Sequence, residues 1–399
     1  MKSNLFFRIL ALSLVLILCM GSVALAEEID IPKLEMQRVF EIPDNEAMQF
    51  VRNMRVGWNL GNTFDAIEDK WLPASRHMEL ETYWCGAKTT PEMIQLLKDS
   101  GFNTLRLPIS WHNHVDEDFQ INEHWLNRVQ EVVDYAISRD MYVIINIHHD
   151  NDPKYYYPDE EHFEQSTKYM TAIWSQVAAR FADYDNHLIF ESINEPRLSG
   201  TSLEWRVDKN DPKSVEAMGC ISKLNQVFVD TVRAAGGNNA DRFLMVPGYS
   251  ASPEGAMNEY NVLPTDTVEN RIIVSVHAYT PYDFALNGAG TGEFEINSTF
   301  SRQIPLFLNN LYDKFVANGI PVVVGEFGAR DKGGNLQDRV HFAAYYLFHA
   351  TNRGIPCLWW DNHAFQGNGE LFGLLDRKNA TWRYPEIVEA MILNAPAID

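Results

Sequence analysis

Cysteine is scarce, with 4 residues in 399. None forms a Cys-x-x-Cys pair or a Cys/His cluster, so neither a disulfide-stapled mini-fold nor a structural zinc site has support. Basic residues are also few. The 33 Lys+Arg stand against 54 Asp+Glu, for a formal net charge of −21. Such a chain repels the phosphate backbone and anionic headgroups, so nucleic acid and membrane surfaces are not expected partners. Beyond the N-terminus, no apolar run approaches the roughly 18 residues that cross a bilayer. There is no Ser/Thr/Pro-rich linker, internal repeat or appended module. The segment Gly57-Trp58-Asn59-Leu60-Gly61 lacks the GxGxxG spacing of a doubly wound dinucleotide fold. With 46% hydrophobic residues the chain is too apolar to be disordered.

The first 26 residues read as an export signal. Lys2 and Arg8 precede an apolar run over residues 9–20, and Ala24-Leu25-Ala26 supplies small residues for cleavage. The expected product is a secreted monomer. Residues 27–50 would then form a leader and cap, and residues 51–399 one catalytic domain. Cys85, Cys220 and Cys357 are expected as buried thiols with at most one bridge. Asn297-Ser298-Thr299 and Asn379-Ala380-Thr381 fit the glycosylation sequon, which matters only in a host that glycosylates.

One rhythm runs through the rest: a short apolar run, a loop, then an amphipathic stretch. Strands are predicted at residues 56–60, 104–108, 142–147, 188–193, 243–247, 272–277, 322–326 and 357–360. These runs are continuously apolar or β-branched without alternation, as strands buried on both faces should be. Between them, Trp125, Val129, Val132, Val133, Ala136 and Ile137 fall on one helical stripe, as do Ile173, Val177 and Phe181. Thr90-Pro91 marks a helix start. Eight strands alternating with helices predict an α/β fold, a (β/α)8 TIM barrel.

In such a barrel chemistry sits where strands end and loops begin. Those positions hold Arg106, His148-His149-Asp150, Asn194-Glu195-Pro196, His277-Ala278-Tyr279, Glu326 and Trp359-Trp360-Asp361. Each alone has a bland explanation in packing or solvation; together they put two carboxylates, imidazoles, an arginine and a tyrosine on one rim. Two carboxylates facing each other suit glycosidic bond cleavage, where one must be protonated and the other ionised. Aromatic faces suit sugar rings. No cofactor is called for, and the expected partner is a polysaccharide. A metallohydrolase built on His148, His149, Asp150 and His277 is the rival reading. It is disfavoured because adjacent strand residues point to opposite faces. A non-catalytic carbohydrate-binding barrel would most simply lack one of the two glutamates.

The run Leu188-Ile189-Phe190-Glu191-Ser192-Ile193-Asn194-Glu195-Pro196 resembles the signature of glycoside hydrolase family 5, the cellulases of the Asn-Glu-Pro clan. The same family shows Thr104-Leu105-Arg106-Leu107-Pro108, Ile147-His148-His149, His277-Ala278-Tyr279, Val324-Gly325-Glu326-Phe327-Gly328 and a Trp closing the last strand. Gly57 to Thr63 and the Tyr-Tyr-Tyr-Pro of residues 155–158 are similar to its subfamily 4 endoglucanases. The resemblance spans roughly residues 50 to 390. It implies Glu195 as acid/base and Glu326 as nucleophile. Asn194 would bind the sugar 2-hydroxyl, and Arg106 and Tyr279 would hold Glu326. His149 and His277, supported by His148, would orient the acid/base and subsite. Trp360 is implied as the sugar platform, and Asn59 as a substrate-binding residue. The bare sequence does not say which glutamate is which.

A barrel this long, against about 250 residues typically, has spare loop. Residues 61–88, 151–166, 197–215 and 281–300 carry Trp71, Tyr83, Trp84, Tyr155, Tyr156, Tyr157, Trp205 and Phe284. Tyr156 and Trp205 are expected to line an open cleft for endo action on a β-1,4-glucan. Xyloglucan, mixed-linkage glucan, xylan and mannan are the alternatives.

Overall fold

Each of the eight apolar runs is a strand in the computed structural model, which describes residues 28–35, 40–68 and 70–396. The strands are β1 Val56–Leu60, β2 Thr104–Leu107, β3 Tyr142–Asn146, β4 Leu188–Glu191, β5 Leu244–Pro247, β6 Ile272–His277, β7 Val322–Phe327 and β8 Cys357–Asp361. They pair in chain order and close into a barrel. The pairs are parallel, and β8 returns to β1 with Asn59 opposite Trp360. Ends differ from expectation by one or two residues. In β2 the chain stops short of Pro108, which has no N–H to give the ladder. The expected export signal lies outside the described residues.

Helices cover the outside because each buries one apolar stripe on the strands. In the helix Glu123–Ile137, Trp125, Val129, Val132, Val133 and Ala136 are buried, while Ile137 is only partly so. Asn122 caps it by accepting from His124 N. The helix Pro212–Ala234 starts with Pro212 at its first turn and Asp211 accepting from Lys213 and Ser214 N–H. Thr90 precedes the helix Pro91–Asp99 as expected, though its hydroxyl makes no capping bond to the backbone.

Below the barrel lies the helix Glu46–Asn53, in which the expected leader boundary at residue 50 falls. Its Phe50 stacks on Phe243 at 3.7 Å between centroids, and Asn45 Nδ2 donates to Gly319 O at 2.8 Å. Cys85, Cys220 and Cys357 are free and buried. Burial pushes the Cys220 thiol up to about 12 and the Cys357 thiol well above its usual range, so neither is a ready nucleophile. Among the described residues no helix is long and apolar enough to cross a membrane.

Candidate active site

A polar layer crosses the upper end of the barrel, formed by Asn59, Arg106, Asn146, Glu191 and Ser275, all fully buried. Arg106 is its hub. Its Nε and Nη2 reach Glu191 Oε2 at 2.8 and 2.7 Å. Its Nη1 donates to Glu326 Oε1 at 2.7 Å and Asn59 Oδ1 at 3.0 Å. Its Nη2 also donates to Asn194 Oδ1 at 2.8 Å. Burial alone would favour losing the proton, but Glu191 and Glu326 overcome that and hold the guanidinium firmly charged. Glu191 is completed by Ser275 Oγ at 2.5 Å and Asn146 Nδ2 at 3.0 Å. A buried arginine between two carboxylates, with every side filled, is the arrangement that tolerates charge in a low-dielectric core.

Glu326 reaches this layer through an irregularity in β7. Pairing between β6 and β7 slips after Val276, so that His277 lies opposite Glu326. The β7–β8 register shifts over the same stretch. Such a bulge re-aims a side chain at the rim of a barrel. Gly325 allows it, since a Cβ there would meet His277 Nε2 at 3.2 Å. Glu326 Oε2 then accepts from Tyr279 OH at 2.9 Å. Burial first, then the charges of Glu326 and Glu195, push the Tyr279 phenol well above its usual range, so it stays a donor.

The two glutamates meet at one imidazole. His277 Nδ1 lies 2.9 Å from Glu195 Oε1 and 3.6 Å from Glu326 Oε1. Oxygens of Glu195 and Glu326 approach within 4.8 Å. Burial disfavours the imidazolium, yet Glu326 and Glu195 outweigh it and the His277 pKa rises. Glu195 is pulled both ways. Burial pushes its carboxyl up, while His277, Arg197 and His149 bring it below the ordinary value. Asn194 spends Oδ1 on Arg106, and its Nδ2 has no partner among the described residues.

Trp360 is the tryptophan that faces the site. His148 stacks parallel to it at 5.8 Å and 4°. Trp359 is buried and donates Nε1 to Phe372 O at 3.1 Å. Gly61 makes the space, because a Cβ at residue 61 would sit 2.8 Å from the Trp360 ring. The opposed orientation expected for His148 and His149 is corrected. Both lie beyond Asn146, where β3 ends and its pleat no longer alternates, and their rings meet at 4.4 Å. His148 Nδ1 pairs with Asn146 Nδ2 at 3.1 Å. Burial, then the Arg197 charge, lower His149 to about 4. Asp150 does not join these histidines. Its carboxylate accepts from Trp111 N, His112 N and the His112 ring, which breaks the metal-ligand set of the rival reading.

Two further expectations change. Asn59 is not a substrate contact: its Nδ2 donates to Gly325 O at 2.8 Å and its Oδ1 takes Arg106, so it positions the arginine. Tyr156 is fully buried and cannot offer a face to a sugar. Of the loop aromatics, Tyr157 and Phe284 also pack inward, Tyr155 is partly buried, and Trp71, Tyr83, Trp84 and Trp205 are exposed. Trp84 leans toward His149 at 5.8 Å, and Trp205 is 64% exposed. Glu191 and Arg197 were not singled out from the sequence. A glutamate inside a strand read as buried on both faces was the available signal for Glu191, since it demands a cation.

The profile of the Cellulase family (glycosyl hydrolase family 5) matches residues 65–366. Endoglucanase B of Neocallimastix patriciarum is 42% identical over 350 residues, covering 87% of this chain and 71% of that protein. The solved structure of a GH5 family lichenase from Caldicellulosiruptor sp. F32 is 54% identical with a TM-score of 0.89, over 92% of this chain and 100% of that one. A GH5-4 broad specificity endoglucanase from Ruminococcus champanellensis, solved with bound cellotriose, is 47% identical with a TM-score of 0.82, over 88% of this chain and 100% of that one. With a buried Arg–carboxylate layer beneath two glutamates sharing one histidine, and a profile matched across most of the barrel, the chain belongs to glycosyl hydrolase family 5.

Proposed function

We propose that the protein is a secreted, retaining endo-β-1,4-glucanase. The observation that carries this is the approach of Glu195 and Glu326 within 4.8 Å at His277. Retaining glycosidases hold their carboxyls about 5–5.5 Å apart, whereas inverting ones leave about 6.5–9.5 Å for a water. Glu326 attacks the anomeric carbon as the bond to the leaving oxygen breaks, and Glu195 gives that oxygen a proton. Water then attacks the glycosyl–Glu326 ester, Glu195 takes its proton, and Glu326 departs as carboxylate. Arg106 and Tyr279 each hold one oxygen of Glu326, which fixes its aim and stabilises its negative charge.

Glu195 must carry a proton in the first step. Burial pushes the Glu195 carboxyl up but, before sugar binds, His277, Arg197 and His149 hold it below its ordinary value; sugar binding expels water and strengthens the burial that favours the protonated acid. Asn194 Nδ2 is free for the sugar 2-hydroxyl, a hydrogen bond that strengthens as oxocarbenium character develops. Trp360 lies beneath the reacting sugar, with His149 at its side.

Endo action on glucan is supported by the relatives described as endoglucanases. Mixed-linkage glucan is the second reading, favoured by the 54% identity to a lichenase. Reducing-sugar release and viscosity loss on carboxymethyl cellulose, lichenan, xyloglucan, xylan and mannan test both, beside Glu326→Gln. Rapid viscosity loss on a glucan, absent in the variant, is expected. A folded protein inactive on all five would refute the function. Export predicts a mature N-terminus at Glu27, read by sequencing the secreted protein.

A further inference from the structure

We propose that Arg197 is a positioning residue that couples a sugar platform at Trp205 to the acid/base Glu195. This rests on the reading of Glu195 given above. Arg197 follows the Asn194-Glu195-Pro196 turn, and its guanidinium is held by three different groups. Nη1 donates to Glu195 O at 2.8 Å and lies 3.7 Å from Glu195 Oε2. Nε donates to Glu204 Oε1 at 3.3 Å. The guanidinium carbon sits 4.0 Å over the Trp205 ring. Glu204 is itself fixed by Gly200 N at 3.0 Å, and the Arg197 carbonyl accepts from Asn151 Nδ2 at 2.9 Å.

Glu195 therefore has a basic side chain beside each oxygen, His277 at Oε1 and Arg197 at Oε2. His277 also serves Glu326; Arg197 does not, and it joins Glu195 directly to the exposed Trp205, whereas the exposed Trp84 leans on His149. With Arg197 covering one face of Trp205, the opposite face is left for a sugar ring. The platform belongs to the leaving-group side, because the loop that carries it also carries the proton donor. A stacked sugar would press the indole onto the guanidinium and hold it against Glu195, so that occupancy of this site and acidity of the donor change together. The other groups facing Glu195 are His149 from the β3 loop, Glu326 on β7, Glu370 from the β8 loop, and Tyr156 and Tyr279. Arg197 can be changed without touching His277, which also faces Glu326.

The test is the pH profile of kcat/KM on a soluble glucan for wild type, Arg197→Gln, Arg197→Lys and Trp205→Ala. Removing the cation lets the Glu195 carboxyl keep its proton to higher pH. The alkaline limb of Arg197→Gln should therefore move up by about one pH unit, the size of a unit-charge interaction at this distance under water-like screening. Lys restores the limb but not the rigid platform, so KM for long oligosaccharides stays raised. Trp205→Ala should raise KM likewise and move the limb in the same direction by less. An unmoved limb in an active Arg197→Gln enzyme overturns the proposal. If that variant fails to fold, an unmoved limb in Trp205→Ala does so. A carbon-13 NMR titration of the Glu195 carboxyl in wild type and Arg197→Gln needs no turnover. It answers for Arg197 even if the glucanase reading fails.

Discussion

Glu191 touches no sugar in the mechanism above, yet the account makes it indispensable. Its carboxylate is fully buried and 2.7 Å from Arg106 Nη2, with Nε at 2.8 Å. Replacing it by Gln keeps the volume but removes the charge, and turns an amide donor or a single carbonyl toward a guanidinium that needs acceptors. The Coulomb attraction at 2.7 Å is about 6 kcal/mol at an effective dielectric of 20, an upper bound before desolvation is counted. Breaking one partner of a buried pair typically costs about 3–5 kcal/mol, and Arg106, though it keeps Glu326, would lose the carboxylate that takes both its Nε and Nη2. Glu191→Gln should accordingly lose about 3–5 kcal/mol in urea unfolding at pH 7 with an unchanged slope. Activity at 25 °C should fall as well, since Arg106 is then free to turn fully onto Glu326 and blunt it as a nucleophile. A Glu191→Gln protein within 1 kcal/mol of wild type, with wild-type kcat, would refute the claim that Arg106 depends on two carboxylates.

Glu195→Gln should cut kcat/KM on glucan by about 10²–10⁴-fold, but far less on a dinitrophenyl cellobioside, whose leaving group needs no proton. Equal losses on both would argue against the acid role. Gly61→Ala places a Cβ 2.8 Å from the Trp360 ring and 2.9 Å from Asp361 O; it should cost about 1–3 kcal/mol and raise KM, both readable from one unfolding curve and one saturation curve. Dialysis against EDTA should leave activity unchanged, because the two-carboxylate mechanism calls for no ion; loss of activity would instead point to Asp65, His148 and His149, whose ligand atoms lie within 4.8 Å of one another.

The architecture was legible because strands buried on both faces leave long runs of Val, Ile and Leu, and eight of them alternating with helical stripes admit few closures. Charged residues at the ends of those runs pointed to the rim. The sequence could not show the β7 bulge that brings Glu326 opposite His277, since Gly325 alone does not reveal a register slip. Asn59 and Tyr156 show the opposite failure. Both sit in loop or strand-end positions that suggest ligand contact, and both are buried in supporting roles that only packing reveals. The aromatic loops divided for the same reason: hydrophobicity does not distinguish a ring packed under a loop, such as Phe284, from one exposed beside an arginine, such as Trp205.

The most direct test of the central claim is the anomeric configuration of the first product, followed by proton NMR within the first minutes of oligosaccharide hydrolysis. Glu195 and Glu326 sharing His277 at under 5 Å predict that the β-anomer forms first and mutarotates to the α. Initial release of the α-anomer would mean inversion, and would contradict the assignment of Glu326 as a nucleophile.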